Sequence, residues 1–221
     1  MTVVPDKKEI FQLYRRRAKH YDLTANLYYL LGFREFSYRK RAVQNLNLHQ
    51  GDTVVELGCG TGLNFRFIQA KIGPEGRIIG VDLTDYMLDK ARERTQRQGW
   101  RNVEFVQSDA ASFRVPDKVN GILSTFAITL EPEYDLVIRD GSMALAAGGR
   151  FVVLNIKMPD HAPMWLIKLG VLVMKPFGVS FELATRHPWE SIDRHLRRVC
   201  FLELFWGFAY ISVGEKKGDE K

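Results

Sequence analysis

Cysteine is scarce in this 221-residue chain: it has two, Cys59 and Cys200, too few for a disulfide framework. No charged-then-apolar leader with a small-residue cleavage site opens the sequence, so a reducing, cytoplasmic setting is the expectation. Long hydrophobic runs are missing as well. The most apolar stretch, residues 164–181, is interrupted by Lys168, Lys175 and Pro176, which makes it a poor membrane span and leaves an interfacial segment or a buried core helix. The histidines, His20, His49, His161, His187 and His195, show no metal-ligand spacing, and no metal is expected. Internal repeats and low-complexity linkers are lacking too.

What is present suits one core. With 46% hydrophobic residues, the chain is large enough for one packed domain and small for two. The net charge of +6 is confined to one end: residues 1–50 hold ten Lys or Arg against four Asp or Glu, and the remainder has 22 of each sign. A basic excess of that kind belongs either to a segment that meets a polyanion, lipid or nucleic acid, or to a solvated helix face.

Apolar spacing predicts helices over residues 6–30 and 34–46, ahead of the first strand. Strands are then expected at 53–57, 77–82, 103–107, 121–126 and 150–156. They alternate with helices at 62–71, 83–98 (capped by Thr84) and 132–146. Such alternation indicates an α/β, Rossmann-like, doubly wound parallel sheet. Further helices are predicted at 165–173 and 189–198. Two β-like runs, 200–205 and 208–213, are separated only by Trp206 and Gly207 and predict an antiparallel hairpin. The expected organisation is an N-terminal helical, membrane-facing lid over 1–50, a ligand-binding domain over 51–214, and a polar tail over 215–221.

The sequence VVELGCGTG, residues 54–62, puts a carboxylate, Glu56, at a strand end and three glycines, Gly58, Gly60 and Gly62, at alternate positions before a helix. Glycines so placed permit a tight turn and let a ligand lie against bare backbone. The dinucleotide fingerprint fails, because Leu63 or Phe65 stands where its third glycine is required. Glu56 would also repel a pyrophosphate and favour a cationic ligand. Asp82 closes the second strand, placed to accept hydrogen bonds from two ribose hydroxyls. Asp109 follows the third strand, placed to accept from an adenine amino group, with Ala110 beside it. Each acid alone also suits a helix cap or a solvated strand end.

With ELGCGTG, GVD and SDA in this order, residues 53–156 resemble the class I S-adenosylmethionine-dependent methyltransferases. The resemblance implies a seven-stranded sheet whose last two strands are the C-terminal runs. It implies S-adenosylmethionine as cofactor, with Gly58, Gly60 and Gly62 around the methionine part, Asp82 and Leu83 at the ribose, Asp109 and Ala110 at the adenine, and Thr125 and Phe126 beside the methyl group. Asn120 departs from the many relatives that have an acid entering the fourth strand. Upstream, RRRAKHYDLTANLYYLLGF resembles the first helix of UbiE-type quinone methyltransferases and of bacterial phospholipid N-methyltransferases, in which the matching tyrosine, Tyr21, helps close the cofactor pocket. RHPWESIDRHLRR and WGFAY are similar to the lipid N-methyltransferases.

Methyl transfer from a sulfonium is an in-line displacement governed by positioning. An amine acceptor must first lose a proton, and His20, Tyr21 and His187 are the candidates for that step, though each also suits a structural role. Rings such as Tyr14, Tyr28 and Phe126 suit a cationic head group or a helix core. Three acceptor readings follow: the amine of a membrane lipid of the phosphatidylethanolamine type, reached from an anionic membrane surface through the basic N-terminal helices; a membrane quinol; and RNA. No RNA-binding module is recognisable, which ranks nucleic acid last.

Overall fold

The computed structural model describes residues 32–159, Pro163, Leu183 and residues 185–218. The expected helices over 6–30 and 165–173, with His20, Tyr21, Tyr14, Tyr28, His161 and the whole apolar stretch 164–181, lie outside the described residues.

Seven strands form one sheet in the order β3-β2-β1-β4-β5-β7-β6. β1 (Thr53–Leu57), β2 (Arg77–Asp82), β3 (Val103–Gln107), β4 (Val119–Thr125) and β5 (Leu145–Ile156) are mutually parallel. β7 (Ala209–Glu215) runs antiparallel to both β5 and β6 (Arg197–Leu204). The central strands are buried on both faces, so they read as near-continuous apolar runs. Helix α1 (Glu35–Asn45), α2 (Phe65–Ile72) and α3 (Asp85–Arg97) cover one face through Val43, Phe65, Ile68 and Leu88. α4 (Tyr134–Ala144) and α5 (Pro188–His195) cover the other through Ile138 and Ile192, against Phe151 and Tyr210. α1, assigned by sequence to the N-terminal segment, therefore packs into the core of the sheet domain.

Several boundaries differ from expectation: β4 starts two residues early, β5 begins at Leu145 inside the expected helix over 132–146, and β6 begins at Arg197; three further differences have identifiable reasons. α2 begins at Phe65 because the glycine turn runs on past Gly62. α5 ends at His195, since Arg197 and Arg198 pair with Glu215 and Gly214 in the ladder, and sheet pairing overrides helical propensity there. β7 continues through Glu215, and the Lys216 backbone still exchanges hydrogen bonds with Gly148 and Gly149, so the first two residues of the expected polar tail belong to the sheet.

The β6–β7 hairpin is present, but its connection has four residues, not two. Leu204 and Ala209 are the last pair, and Phe205, Trp206 and Gly207 all have left-handed φ of 50°, 54° and 86°. Two bulky residues in that region store about 1–3 kcal/mol each. At Asn120, the departure from the family pattern, the side-chain Oδ1 accepts from the Thr53 amide at 2.9 Å and ties β4 to the start of β1.

α2 approaches the sheet closely because β2 offers a glycine to it. A Cβ on Gly80 would come within 2.8 Å of the Phe65 ring and 3.1 Å of Cys59 Sγ. Phe65 is fully buried and also lies under Gly62. Truncation by Phe65→Ala is expected to cost about 3–5 kcal/mol in urea unfolding, through the cavity left between α2 and the glycine turn; a loss below about 1 kcal/mol would show that this ring does not hold the two together.

Candidate active site

A cleft opens at the carboxyl ends of β1, β2 and β4, where parallel α/β sheets bind ligands. Its walls come from the glycine turn after β1 (Gly58, Cys59, Gly60, Thr61, Leu63), the β2 end (Asp82, Leu83, Thr84) with Met87 of α3, and Ser108, Asp109 and Ala110. Ser124 and Thr125 and the segment 126–131 close it on the other side, with Arg39 of α1.

The turn is pinned to the sheet. The amides of Gly58 and Cys59 both donate to the Val81 carbonyl, at 2.8 and 2.9 Å. Gly58 has φ +70°, and a Cβ there would meet the Ala127 methyl at 2.2 Å. Gly60 is different: a Cβ there would meet nothing within 4 Å, so its bare backbone faces the open cleft. Gly62 does not line the cleft. Its missing side chain makes room for the Phe65 ring, at 2.7 Å, a packing role where the sequence predicted ligand contact.

Asp82 organises one end of the cleft. Its Oδ2 accepts from the Gly60 amide and its Oδ1 from the Thr84 amide, both at 2.9 Å. Burial raises its pKa against the pull of those two amides. Asp109 Oδ1 accepts from the Ala111 amide at 3.3 Å, and its carbonyl accepts from Phe113 at 3.0 Å, which caps the turn after β3.

Beneath the opposite end runs a buried polar seam that the sequence only half disclosed. Asn64 Nδ2 donates to Glu56 Oε1 at 2.6 Å and to Thr125 Oγ1 at 2.9 Å. Arg39 donates to the same Thr125 hydroxyl at 2.5 Å and is held by Glu35 at 2.7 Å. Its guanidinium also lies 5.2 Å from the Phe126 ring centre. Phe126 itself has φ 57°, a left-handed strain of the kind that collects at functional sites. Arg39 and Asn64 were missed, though Arg39 carried a signal. Ala42, Val43 and Leu46, three, four and seven residues on, are all buried, so a cation stands on the apolar stripe of its helix.

Of the residues predicted to bind the cofactor, Gly58, Gly60, Asp82, Leu83, Asp109, Ala110, Thr125 and Phe126 meet around one cleft. Glu56 lies behind it, fully buried, with Oε2 lacking any hydrogen-bond partner. His187, predicted as a catalytic base, is exposed at the start of α5, bonded to Glu190 at 3.0 Å and stacked on Trp189, and it is not part of the cleft wall. Its neighbour Arg186 does reach that wall, donating to the carbonyls of Thr129 and Glu131 at 2.6 and 3.1 Å. Tyr21 and His20 are outside the described residues. Among the described residues no cluster of three or more metal-ligating side chains occurs, and no helix is long and apolar enough to cross a membrane.

Burial drives the Glu56 pKa from 4.5 to about 8, with the Asn64 hydrogen bond and Arg39 opposing. Burial, followed by the nearby carboxylates of Asp82 and Glu56, pushes the Cys59 thiol well above its usual range. An acid whose folded pKa exceeds its unfolded one keeps its proton natively while the unfolded chain releases it. Its contribution to stability is full below pH 4.5 and declines up to pH about 8, by at most about 1.4 kcal/mol per pH unit. Denaturant unfolding of the ligand-free protein from pH 5 to 8 is expected to show a decline that Glu56→Gln removes; parallel pH profiles would mean that Glu56 is ionised in the fold.

A family model described as a methyltransferase domain matches residues 48–175. A demethylmenaquinone methyltransferase of Lactobacillus johnsonii is 30% identical over 169 residues, 76% of this chain and 67% of that protein. An arsenite methyltransferase of Halobacterium salinarum is 36% identical over 119 residues, 52% of this chain; the chain spans only 30% of that relative's length. Among solved structures, geranyl diphosphate C-methyltransferase from Streptomyces coelicolor, with Mg2+, geranyl diphosphate and S-adenosyl-L-homocysteine, superposes with a TM-score of 0.64 at 14% identity, over 82% of this chain and 79% of that one. The family match covers more than half of the chain and coincides with the strands and turns that build the cleft: the chain belongs to the S-adenosylmethionine-dependent methyltransferases.

Proposed function

We propose that this methyltransferase alkylates a ring carbon of a membrane-soluble quinol. The observation that carries the reading is the extent of similarity to the demethylmenaquinone enzyme. Its 169 matched residues exceed the 128 residues between 48 and 175, so the likeness extends beyond the residues that the family model matches.

The residues of the cleft fit the cofactor. Gly60 offers backbone without a side chain, the Asp82 oxygens suit a ribose diol, and Leu83, Met87 and Ala110 give an apolar slot for a base. Arg39, at the far end, suits a carboxylate. When bound, S-adenosylmethionine supplies an electrophilic methyl group on a sulfonium. On the acceptor side, Phe126, Ala127, Ile128 and Leu130 form a mostly apolar wall that ends in Glu131. Glu131 is only 7% exposed. A quinol carbon becomes nucleophilic as the adjacent hydroxyl loses its proton, and Glu131 is the carboxylate placed to take it. The ring proton displaced by the new methyl then leaves to water.

Two other acceptors rank lower. Arsenite is soft and thiol-seeking, whereas the cleft wall holds a single cysteine, Cys59, and the other, Cys200, sits against Asn45 Oδ1 at 3.6 Å on the outer part of the sheet. A lipid amine, the first reading from sequence, rests on short C-terminal similarities.

The deciding assay supplies labelled S-adenosylmethionine with either a reduced demethylquinol or phosphatidylethanolamine vesicles, and identifies products by mass. One methyl on the quinol ring and none on the lipid supports the proposal; methylated lipid amines with no quinol product overturn it. Within the proposal, Glu131→Gln is expected to lower kcat by about 100-fold with cofactor affinity unchanged. Asp82→Asn is expected to weaken S-adenosylmethionine binding at least about tenfold in calorimetric titration, with no change in the acceptor preference.

A further inference from the structure

Trp206 is 84% exposed, the most of any large apolar side chain among the described residues. It stands at the tip of the β6–β7 hairpin, and the tip is firmly built. Phe205 packs edge-on against Phe33 at 5.3 Å, the Phe208 amide donates to the Phe205 carbonyl at 3.0 Å, and the Lys157 amide donates to the Phe208 carbonyl at 3.0 Å. Lys157, itself buried, is paired with Glu203 at 2.6 Å. The left-handed backbone at Phe205 and Trp206 thus holds an indole out into solvent from a fixed base.

The position is as telling as the exposure. β6 is parallel to β5, so its tip lies at the carboxyl edge of the sheet, where the cleft opens. Ring centres step from Phe126 in the cleft wall to Phe33 (5.9 Å), to Phe205 (5.3 Å) and to Trp206 (5.0 Å). Next to Phe33 stands exposed Arg34 at the start of α1, and one turn further in Phe36 is 47% exposed beneath the Arg66 guanidinium, 4.0 Å from its ring centre. Residues 32–50, to which this part of the rim belongs, hold Arg34, Arg39, Lys40 and Arg41 against Glu35 alone. An outward indole, joined through Phe205 and Phe33 to a helix start that carries Arg34, matches the headgroup layer of an anionic bilayer, where an amphipathic ring and a cation are both favoured.

We infer that the hairpin tip, residues 205–208, is a membrane-docking spur: Trp206 seats in the headgroup region of an anionic bilayer, turns the mouth of the cleft toward it, and lets an apolar acceptor pass along Phe205 and Phe33 to Phe126. The inference rests on the acceptor being lipid-soluble, as proposed above, but its test does not depend on turnover.

The full chain is sedimented with vesicles of phosphatidylcholine, with and without phosphatidylglycerol, as wild type, Trp206→Ala and Trp206→Tyr. Binding is expected to be tighter on the anionic vesicles, about tenfold weaker in Trp206→Ala, and largely retained in Trp206→Tyr, with S-adenosylmethionine binding equal in all three. The fluorescence lost in Trp206→Tyr, taken by difference, should be quenched by brominated lipid. Equal vesicle binding by wild type and Trp206→Ala would overturn the inference, and so would a concentration-dependent dimer that Trp206→Ala dissociates without any effect of lipid. Turnover of a short-chain, water-soluble quinol separates the two ideas. If it proceeds while vesicle binding ignores Trp206, the spur is wrong and the quinol reading stands; if Trp206 governs vesicle binding but no quinol is methylated, the spur stands and the acceptor reading falls.

Discussion

The close approach of Gly58 to Ala127 sets the shape of the whole site. No side chain separates the turn after β1 from the segment after β4, so the two loops meet backbone to methyl above the sheet, and everything that faces a ligand is arranged around that contact. The turn is then fixed from the other side by Val81 and Asp82, which take the amides of Gly58, Cys59 and Gly60. A site preorganised by backbone hydrogen bonds needs little ordering when a ligand arrives, which favours affinity and suits chemistry that depends on alignment.

Charge is distributed along the cleft in a matching way. Asp82 and Asp109 stand on one wall, Arg39 and Glu131 on the other. Glu56 belongs to neither. It is a structural acid beneath the floor, joined through Asn64 and Thr125 to Arg39. Buried polar chains of this kind are stable when satisfied and costly when broken, so the seam makes α1 part of the site. Removing α1 would leave Thr125 and Asn64 without their cation.

The sheet was legible in the sequence because its central strands are short apolar runs bounded by turn residues, and β1, β2 and β3 begin and end where the pattern puts them. Asp82 and Asp109 were legible for the same reason: an acid at or just after a strand end is visible in one dimension. The packing of Gly62 on Phe65 was not legible, because a glycine that admits a ligand and a glycine that admits a phenylalanine ring look alike in sequence. The four-residue hairpin tip was misread because left-handed φ at Phe205 and Trp206 runs against residue preference, and only packing on Phe33 explains it. Arg39 was hidden by distance, since its partners Asn64 and Thr125 come from elements 25 and 86 residues away.

Cys59 sits in the wall of a cleft built for an alkylating agent. A thiolate there would compete with the acceptor for the methyl group and inactivate the protein by alkylating itself. Burial and two neighbouring carboxylates hold the sulfur in its protonated form, and the neutral thiol is a far weaker nucleophile. Burial at the turn, with Asp82 beside it, therefore protects the site from that cofactor's reactivity: the cleft keeps its own nucleophile silent.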